Sequence, residues 1–599
     1  MHTYRDYRPD RRFQPTISIS PDGASVAYSD NLTGQYNLVV AAISNGTSRR
    51  LTDDADATVR DLRWSPDGQQ VIFAADANGD EFHQVRRIAA TGGAIESLTD
   101  TPGVQFYLGE VSPDGSWISY AGNDRDPIDQ DILIRNLKTG EVRRVYQGGG
   151  MVFPGNWAPD GGQLLAVRSD SNTEQVILVV DADGLASEQL LPEKGEAAPF
   201  AMPGPWLPDG AGFLVLTDAG RDFVGLARFD LAARELQWLA TPDWDVESVH
   251  LAEHGDTVAW SVNVNGISEL HAAPWTGDGL GAEIELPAVP RGLISAMSLD
   301  ASGTRVAALV STGARPQNAV VIDLDAGTTT WLTDSGAAVT SATIEPELVS
   351  YPAYDGRAIP AWLYRPAGDG PFPVVLSIHG GPEAQERPTY NYGGLYQFLL
   401  ANGVAVLAPN VRGSNGYGRT YQRLILRDWG GDDLRDFQSA VEYLRASPWV
   451  DADRIGVFGG SYGGFATLSC LSRLPEYFAC GVDIVGPSNL VTLAKSVPPT
   501  WRAMMADWVG DPETEADFLL SRSPITYADQ IVAPLFVIQG ANDPRVNKAE
   551  SDGIVEALRS RGVEVRYDVY ADEGHGFTRK ENEARAMEDS AEFLLSHLM

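Results

Sequence analysis

One short motif returns along the first half of this chain at a nearly constant interval. Ser-Pro-Asp-Gly stands at Ser20–Gly23, Ser65–Gly68 and Ser112–Gly115, then as Ala-Pro-Asp-Gly ending at Gly161 and Leu-Pro-Asp-Gly ending at Gly210. Weaker copies follow at Gly255 and Gly303, and successive glycines lie 45 to 49 residues apart. Pro fixes φ, Asp bonds its own backbone and Gly takes positive φ, so each copy is a tight turn. Apolar or alternating runs follow, such as SVAYS, QVIFAA, WISYAG and FLVLTD, with the two-residue period of half-buried strands. A period near 46 is too short for a domain and suits a four-stranded propeller blade. Seven copies predict an all-β seven-bladed propeller over residues 16–340, preceded by a short extension, 1–15. RRLTDD, ESLTDT and TTWLTDS read as a recurrent blade ending.

The grammar changes after about Ile344. PVVLSIHGG, VAVLAPNVRG, RIGVFGGSYGG, CGVDIVG, PLFVIQGAND and VEVRYDVYADEGHG are apolar, strand-like runs. Amphipathic stretches such as DDLRDFQSAVEYLRA separate several of them. Buried strands alternating with helices predict an α/β-hydrolase over 341–599, a mostly parallel sheet with helices on both faces. At 599 residues the chain is long enough for two such domains.

Reactive groups of such sheets sit beyond the carboxyl ends of strands. Ser461 stands there, between the strand RIGVF and the helix FATLSCLSRL, in the pattern Gly459-x-Ser461-x-Gly463. The glycines permit the close backbone approach of a nucleophile elbow. A serine hydroxyl needs a base. Only His575 and His597 follow Ser461; His597 falls in a terminal helix and is expected at the surface, whereas His575 lies in the glycine-flanked loop DEGHGF. His575 is therefore the predicted base. Asp543, directly after the apolar run LFVIQG, is the predicted carboxylate that orients it; Asp529 and Asp568 are weaker candidates. Two N–H donors should receive the oxyanion: that of Tyr462, and one from His379–Pro382, where Gly381 is favoured over Gly380. For His379 a structural role is favoured over direct catalysis.

The remaining features mostly exclude. A formal charge of −36 disfavours nucleic acid or an anionic membrane as partner. Two cysteines, Cys470 and Cys480, form no disulfide framework, and no Cys-x-x-Cys spacing marks a metal site. The four propeller histidines, His83, His250, His254 and His271, read as loop or core residues, and DANGDE (Asp76–Glu81) as a polar hairpin loop rather than a calcium site. No signal-like start or apolar run long enough to span a bilayer is present, so a cytoplasmic location is expected. No cofactor or metal is expected; homo-oligomerisation is left open.

The motifs HGGPEAQ, NVRGSNGYGR, DRIGVFGGSYGG, SPI, GANDPRV and EGHGF, in this order, resemble the signatures of the prolyl oligopeptidase family of serine peptidases, most of all its acylaminoacyl-peptidase branch. The resemblance spans nearly the whole chain, since the family also carries an N-terminal propeller. It implies a triad of Ser461, Asp543 and His575, and a substrate-holding arginine two residues past the aspartate, Arg545. A structural ion pair is the other reading of Arg545. Some relatives use a tyrosine hydroxyl in the oxyanion hole; His379 stands at that position and points to backbone donors. Dipeptidyl peptidases of the family anchor the substrate amine with a Glu-Glu pair, and that dipeptide is absent from this sequence. Trp501, Met504 and Trp508 fit either a specificity pocket or apolar core. The expected activity is hydrolysis of short peptides through an acyl-enzyme, with the propeller limiting access. An ester hydrolase on the same triad and a propeller binding protein with an inactive hydrolase are the alternatives.

Overall fold

The structure, a computed structural model, describes residues 2–254 and 256–599; the turn expected at Gly255 lies outside the described residues. Among them the first half forms seven small antiparallel sheets, each a meander in chain order. Blade one comprises Phe13–Ile19, Ser25–Asp30, Asn37–Ala42 and Ser48–Arg50. Blades two to seven span 57–97, 106–146, 151–191, 201–240, 245–274 and 293–331. Blade six departs from the repeat: three strands form its sheet, and a single bridge between Trp275 and Leu280 stands where a fourth would run.

In the six blades other than blade six the repeated motif joins the first two strands. In blades one to three the serine hydroxyl donates to the aspartate two residues on, at 2.6 Å (Ser20–Asp22, Ser65–Asp67, Ser112–Asp114). The same Oγ accepts the N–H five residues on, at 2.9 Å. The closing glycines take φ between +66° and +75°, where a Cβ would be strained. The Leu-Thr-Asp endings are equally specific. Thr52, Thr99 and Thr333 accept the N–H groups of Leu38, Val85 and Ala319, securing the blade's end to its third strand.

Among the described residues no strand is shared between blades one and seven. Phe13, Ile17 and Tyr28 instead pack against Ala307, Leu309 and Val321. Ser298 Oγ accepts the Ile19 N–H at 3.2 Å and Arg305 donates to the Gly23 carbonyl at 2.9 Å. The ring is thus closed by side chains rather than by a backbone ladder. The residues before it do not hang free as an extension. Tyr4 and Tyr7 are buried in the core of the second half beside Phe398, and Tyr390 Oη donates to the Tyr7 carbonyl at 2.6 Å.

The second half is built on one eight-stranded sheet: β1 (Glu347–Pro352), β2 (Ala358–Tyr364), β3 (Phe372–Ile378), β4 (Ala405–Pro409), β5 (Val450–Gly460), β6 (Cys480–Ile484), β7 (Leu535–Gly540) and β8 (Val565–Tyr570). Its order is β1-β2-β4-β3-β5-β6-β7-β8. The β1–β2 and β2–β4 pairs are antiparallel and all others parallel. Among the described residues the α-helices of seven residues or more are α1 (Leu395–Ala401), α2 (Asp432–Arg445), α3 (Tyr462–Arg473), α4 (Leu490–Ser496), α5 (Arg502–Trp508), α6 (Ala516–Arg522), α7 (Ala549–Ser560) and α8 (Lys580–Leu598). Strand periodicity divides the core between two faces. Val374, Leu376 and Ile378 of β3 join Phe437, Phe465 and Ile554 of α2, α3 and α7, while Val375 joins Leu399 of α1 and Leu594 of α8. Both cysteines are free and buried, as small apolar residues. Among the described residues no helix is long and apolar enough to cross a membrane.

The propeller meets this sheet at the carboxyl ends of β3, β5, β7 and β8. Arg419 pairs with Asp218 at 3.1 Å, and Arg387 with Glu247. The blade-two hairpin presses Gly79 against Gly574 so closely that a Cβ on Gly79 would stand 2.6 Å from the Gly574 nitrogen.

Candidate active site

Ser461 sits between β5 and α3 with φ +58° and ψ −122°, a conformation that costs a non-glycine residue about 1–3 kcal/mol. Its N–H is held by the Ile484 carbonyl at 2.8 Å, and its carbonyl accepts from Phe465. The flanking glycines are required by contact. A Cβ on Gly459 would stand 2.3 Å from the Gly463 carbonyl oxygen, and one on Gly463 would stand 2.1 Å from that of Ile378. The elbow is therefore wedged against β3, with the serine side chain at the cavity.

His575 Nε2 lies 2.9 Å from Ser461 Oγ, and its Nδ1 lies 2.8 Å from Asp543 Oδ2. The other carboxylate oxygen of Asp543 accepts the N–H groups of Arg545 and Val546, both at 2.9 Å. A carboxylate only accepts, so Nδ1 carries the proton and Nε2 is left to accept from the serine hydroxyl. The Asp543 side chain has no solvent exposure and that of His575 only 11%. The weaker acid candidates lie elsewhere: Asp568 pairs with Arg566 on β8, and Asp529 sits in the 3-10 helix Pro524–Gln530. His597, expected at the surface, is half-buried on α8 against Phe593.

Tyr462 opens α3, so its N–H lacks an acceptor within the helix. Its ring packs against Trp429, with centroids 5.1 Å apart, and its hydroxyl donates to the buried Asp433 at 2.5 Å. Burial pushes that carboxyl up to about 6. His379 Nδ1 lies 2.7 Å from the Gly380 carbonyl and Nε2 lies 2.9 Å from Ser414 Oγ. Burial holds the imidazole below its ordinary value and hence neutral, with Nδ1–H donating to Gly380. Across a trans peptide the N–H points opposite to the carbonyl. Fixing the Gly380 carbonyl thereby turns the Gly381 N–H the other way, and Gly381 lines the same cavity as Ser461 and Tyr462.

That cavity encloses about 200 Å³. Beside the triad its wall is apolar: Trp429, Leu493, Val497, Trp501, Met505 and Trp508. Trp501 and Trp508 line the cavity on one side and pack against the hydrophobic core on the other. Met504 does not line it; Met505, one position along α5, does. Arg545 lines the cavity too, and it makes the ion pair of the structural reading. Its guanidinium lies 5.5 Å from the Trp501 ring centre and pairs with Glu81 at 2.8 Å. Asp76 in the same propeller loop binds Arg60 through both oxygens. The loop is therefore a hairpin joining the halves. His250 and His254 stand four residues apart, but His250 is on a strand of blade six and His254 in an exposed turn.

Sequence reasoning did not single out Glu81, Asn172, Glu383 or Trp429 as site residues. Glu81 and Asn172 reach the site from propeller hairpins hundreds of residues away; Glu81 was read only as part of the polar hairpin DANGDE, and nothing local ties either residue to the triad. Glu383 had a signal, two positions past Gly381 in the oxyanion loop.

Comparisons with known proteins agree with this geometry. Residues 391–599 match the model of the prolyl oligopeptidase family, and residues 12–201 that of the TolB beta propeller domain. Dipeptidyl aminopeptidase BIII of Pseudoxanthomonas mexicana is 32% identical over 592 residues, covering 94% of this chain and 84% of the relative. The human acylamino-acid-releasing enzyme is 29% identical over 261 residues, 42% of this chain and 35% of the relative. Among solved structures, a puromycin-hydrolyzing peptidase of Mycobacterium tuberculosis superposes with TM-score 0.85 at 20% identity, covering 100% of this chain and 96% of that one. With whole-chain similarity at this level and a serine, histidine and aspartate joined by hydrogen bonds at the sheet's edge, the chain belongs to the prolyl oligopeptidase family of serine peptidases.

Proposed function

We propose that this chain is a serine exopeptidase that cleaves short peptides by acyl transfer. The observation that carries this reading is the unbroken hydrogen-bond chain Ser461–His575–Asp543 at the mouth of an apolar cavity roofed by the propeller. Ser461 Oγ attacks the peptide carbonyl while His575 Nε2 takes its proton. Asp543 holds the imidazole in the tautomer this requires and stabilises the imidazolium. The developing oxyanion is received by the N–H groups of Tyr462 and Gly381, each worth about 3–4 kcal/mol in the transition state. His575 then returns the proton to the leaving amine, and water releases the acyl group by the same steps in reverse.

Arg545, held by Glu81 and beside Trp501, offers N–H donors to a carbonyl of the bound peptide. The aromatic wall, with Trp501 and Trp508, takes an apolar side chain next to the scissile bond. The relatives named as dipeptidyl and acylamino-acid-releasing enzymes support an exopeptidase, and the propeller over the site supports a limit on substrate size. The charge of −36 argues against nucleic acid as a further partner.

The test is Ser461→Ala with phenylalanyl p-nitroanilide peptides as substrates. We expect kcat to fall by about 10⁴–10⁶-fold. A fluorophosphonate should label the wild type at Ser461 alone. Turnover near that of the wild type in the variant would refute the assignment.

A further inference from the structure

The apolar cavity explains a side-chain preference but not which end of a peptide the enzyme grips. Among the described residues that line the catalytic cavity, Glu383 is the one carboxylate, and Glu81 reaches the cavity only through Arg545. Glu81 is neutralised by Arg545 at 2.8 Å. Glu383 differs. It follows the oxyanion loop by two residues and lines the cavity together with Gly381, Ser461 and His575. Burial raises its carboxyl above the ordinary value. Its hydrogen-bonding neighbours are uncharged: Asn172 Nδ2 at 2.5 Å on Oε2, Gln422 Nε2 at 3.3 Å on Oε1, and the indole N–H of Trp508, which faces it from the cavity wall. Arg423 faces it as well, but that guanidinium is engaged by Glu174 at 2.8 Å.

The space beyond Glu383 is also anionic. Asn172 and Glu383 form the border between the catalytic cavity and a second one of about 380 Å³ between the two domains. Asp218, Asp222, Asp245 and Glu247 line it; Arg419 binds Asp218 at 3.1 Å and Arg387 pairs with Glu247, which leaves Asp222 and Asp245 without a guanidinium partner among the described residues. Burial first, then the neighbouring Asp218, Glu247 and Asp222, push the Asp245 carboxyl up to about 6. Carboxylates converging on a cleft with low-dielectric walls attract a cation and repel an anion. A short peptide carries one cation by construction, its amino end, protonated below about pH 8.

We propose that Glu383, positioned by Asn172, is the subsite that receives the protonated amino end of the peptide. This rests on the reading of Ser461 as the peptidase nucleophile. The ammonium donates to the Glu383 carboxylate from the cavity side, where the amides leave acceptor capacity free. The scissile carbonyl then lies at Ser461 and the neighbouring apolar side chain against Trp501 and Trp508. Glu383 thus does for this chain, from the hydrolase side, what a carboxylate is needed for in any enzyme that counts residues from a free amino end. N-acylated peptides lose the charge and meet an uncompensated carboxylate.

The experiment compares kcat/KM for Phe and Gly-Phe p-nitroanilides with their N-acetylated forms, in the wild type and in Glu383→Gln. The wild type should prefer a free amine, and that preference should decline as pH rises past about 8. A hydrogen bond to a charged group contributes about 1.5–3 kcal/mol, so the free-to-acetylated ratio should fall about 10–100-fold in E383Q. A ratio, unlike either rate alone, is insensitive to general damage. A wild type that prefers acetylated peptides, or a ratio in E383Q within threefold of the wild type, overturns the proposal. Should E383Q not fold, the wild-type preference and its pH dependence decide by themselves. Failure of the peptidase reading looks different, since then neither peptide form would be cleaved.

Discussion

Gly79 lies in a propeller hairpin, far in sequence from the triad, and replacing it by alanine should nevertheless slow catalysis. A Cβ at Gly79 would stand 2.6 Å from the Gly574 nitrogen and 3.0 Å from its Cα, whereas ordinary contact begins at about 3.4 Å. One of the two backbones must retreat by about 0.8 Å. The hairpin is braced, because Asn78 accepts from Asn542 and Arg579 and Glu81 holds Arg545. The facing loop is also held, by Glu573 through Thr578 and Arg579, but Gly574 is the immediate neighbour of His575, so a retreat on that side displaces the base. A misplacement of about 1 Å at a reacting group can cost about 100-fold in rate, so we expect kcat to fall about 30–100-fold. By the conversion of 1.36 kcal/mol per decade this is about 2–3 kcal/mol of lost transition-state stabilisation. Positive φ alone imposes a further penalty of about 1–2 kcal/mol on folding. Gly46→Ala controls for it: Gly46 has φ +68°, against +72° at Gly79, and nothing lies within 4 Å of its Cβ position. Steady-state kinetics on a peptide anilide, with circular dichroism to verify folding, would measure both variants. If Gly79→Ala and Gly46→Ala turned over alike, close to the wild type, the buttressing argument would be wrong.

Two further outcomes follow from the site and its support. Trp508→Ala removes an aromatic wall of the cavity, and kcat/KM for a phenylalanyl over an alanyl substrate should fall about 10-fold or more; an unchanged ratio would place the side-chain pocket elsewhere. Asp483, fully buried at the end of β6 beneath α3, has its carboxyl pushed up to about 8 by burial, with one oxygen bound to the Gly486 N–H. Because this folded value lies above the unfolded one near 4, its favourable contribution is complete below about pH 4 and is lost as pH climbs to about 8. Asp483→Asn should therefore raise the thermal midpoint relative to the wild type more at pH 8 than at pH 5, and parallel midpoint–pH curves would contradict the assignment.

The parts of this molecule legible in the sequence are those governed by neighbours along the chain. A Ser-Pro-Asp-Gly turn closes through hydrogen bonds two and five residues apart, so its recurrence revealed the blades before any blade was seen. The elbow at Ser461 needs glycines at fixed offsets because carbonyls lie where Cβ atoms would be, and that requirement is written within five residues. Blade six lost its fourth strand without a local signature, since an outermost strand is the least constrained by packing. Tyr4 and Tyr7 looked like the start of an extension because their partners around Phe398 are nearly four hundred residues on. Met505 rather than Met504 lines the cavity because one residue on a short helix turns a side chain by about 100°, a choice that only the docking of α5 makes.

By itself the sequence determined the two kinds of sheet, their division of the chain, and the three residues able to relay a proton, because strand period, turn chemistry and the glycine elbow are local. Only the tertiary structure decided what surrounds those three residues. Glu81 on Arg545, Asn172 on Glu383 and Gly79 against the His575 loop all come from propeller hairpins. Which hairpins arrive there depends on how the ring is seated over the sheet, and that seating is a sum of many weak contacts between surfaces that the chain order does not bring together.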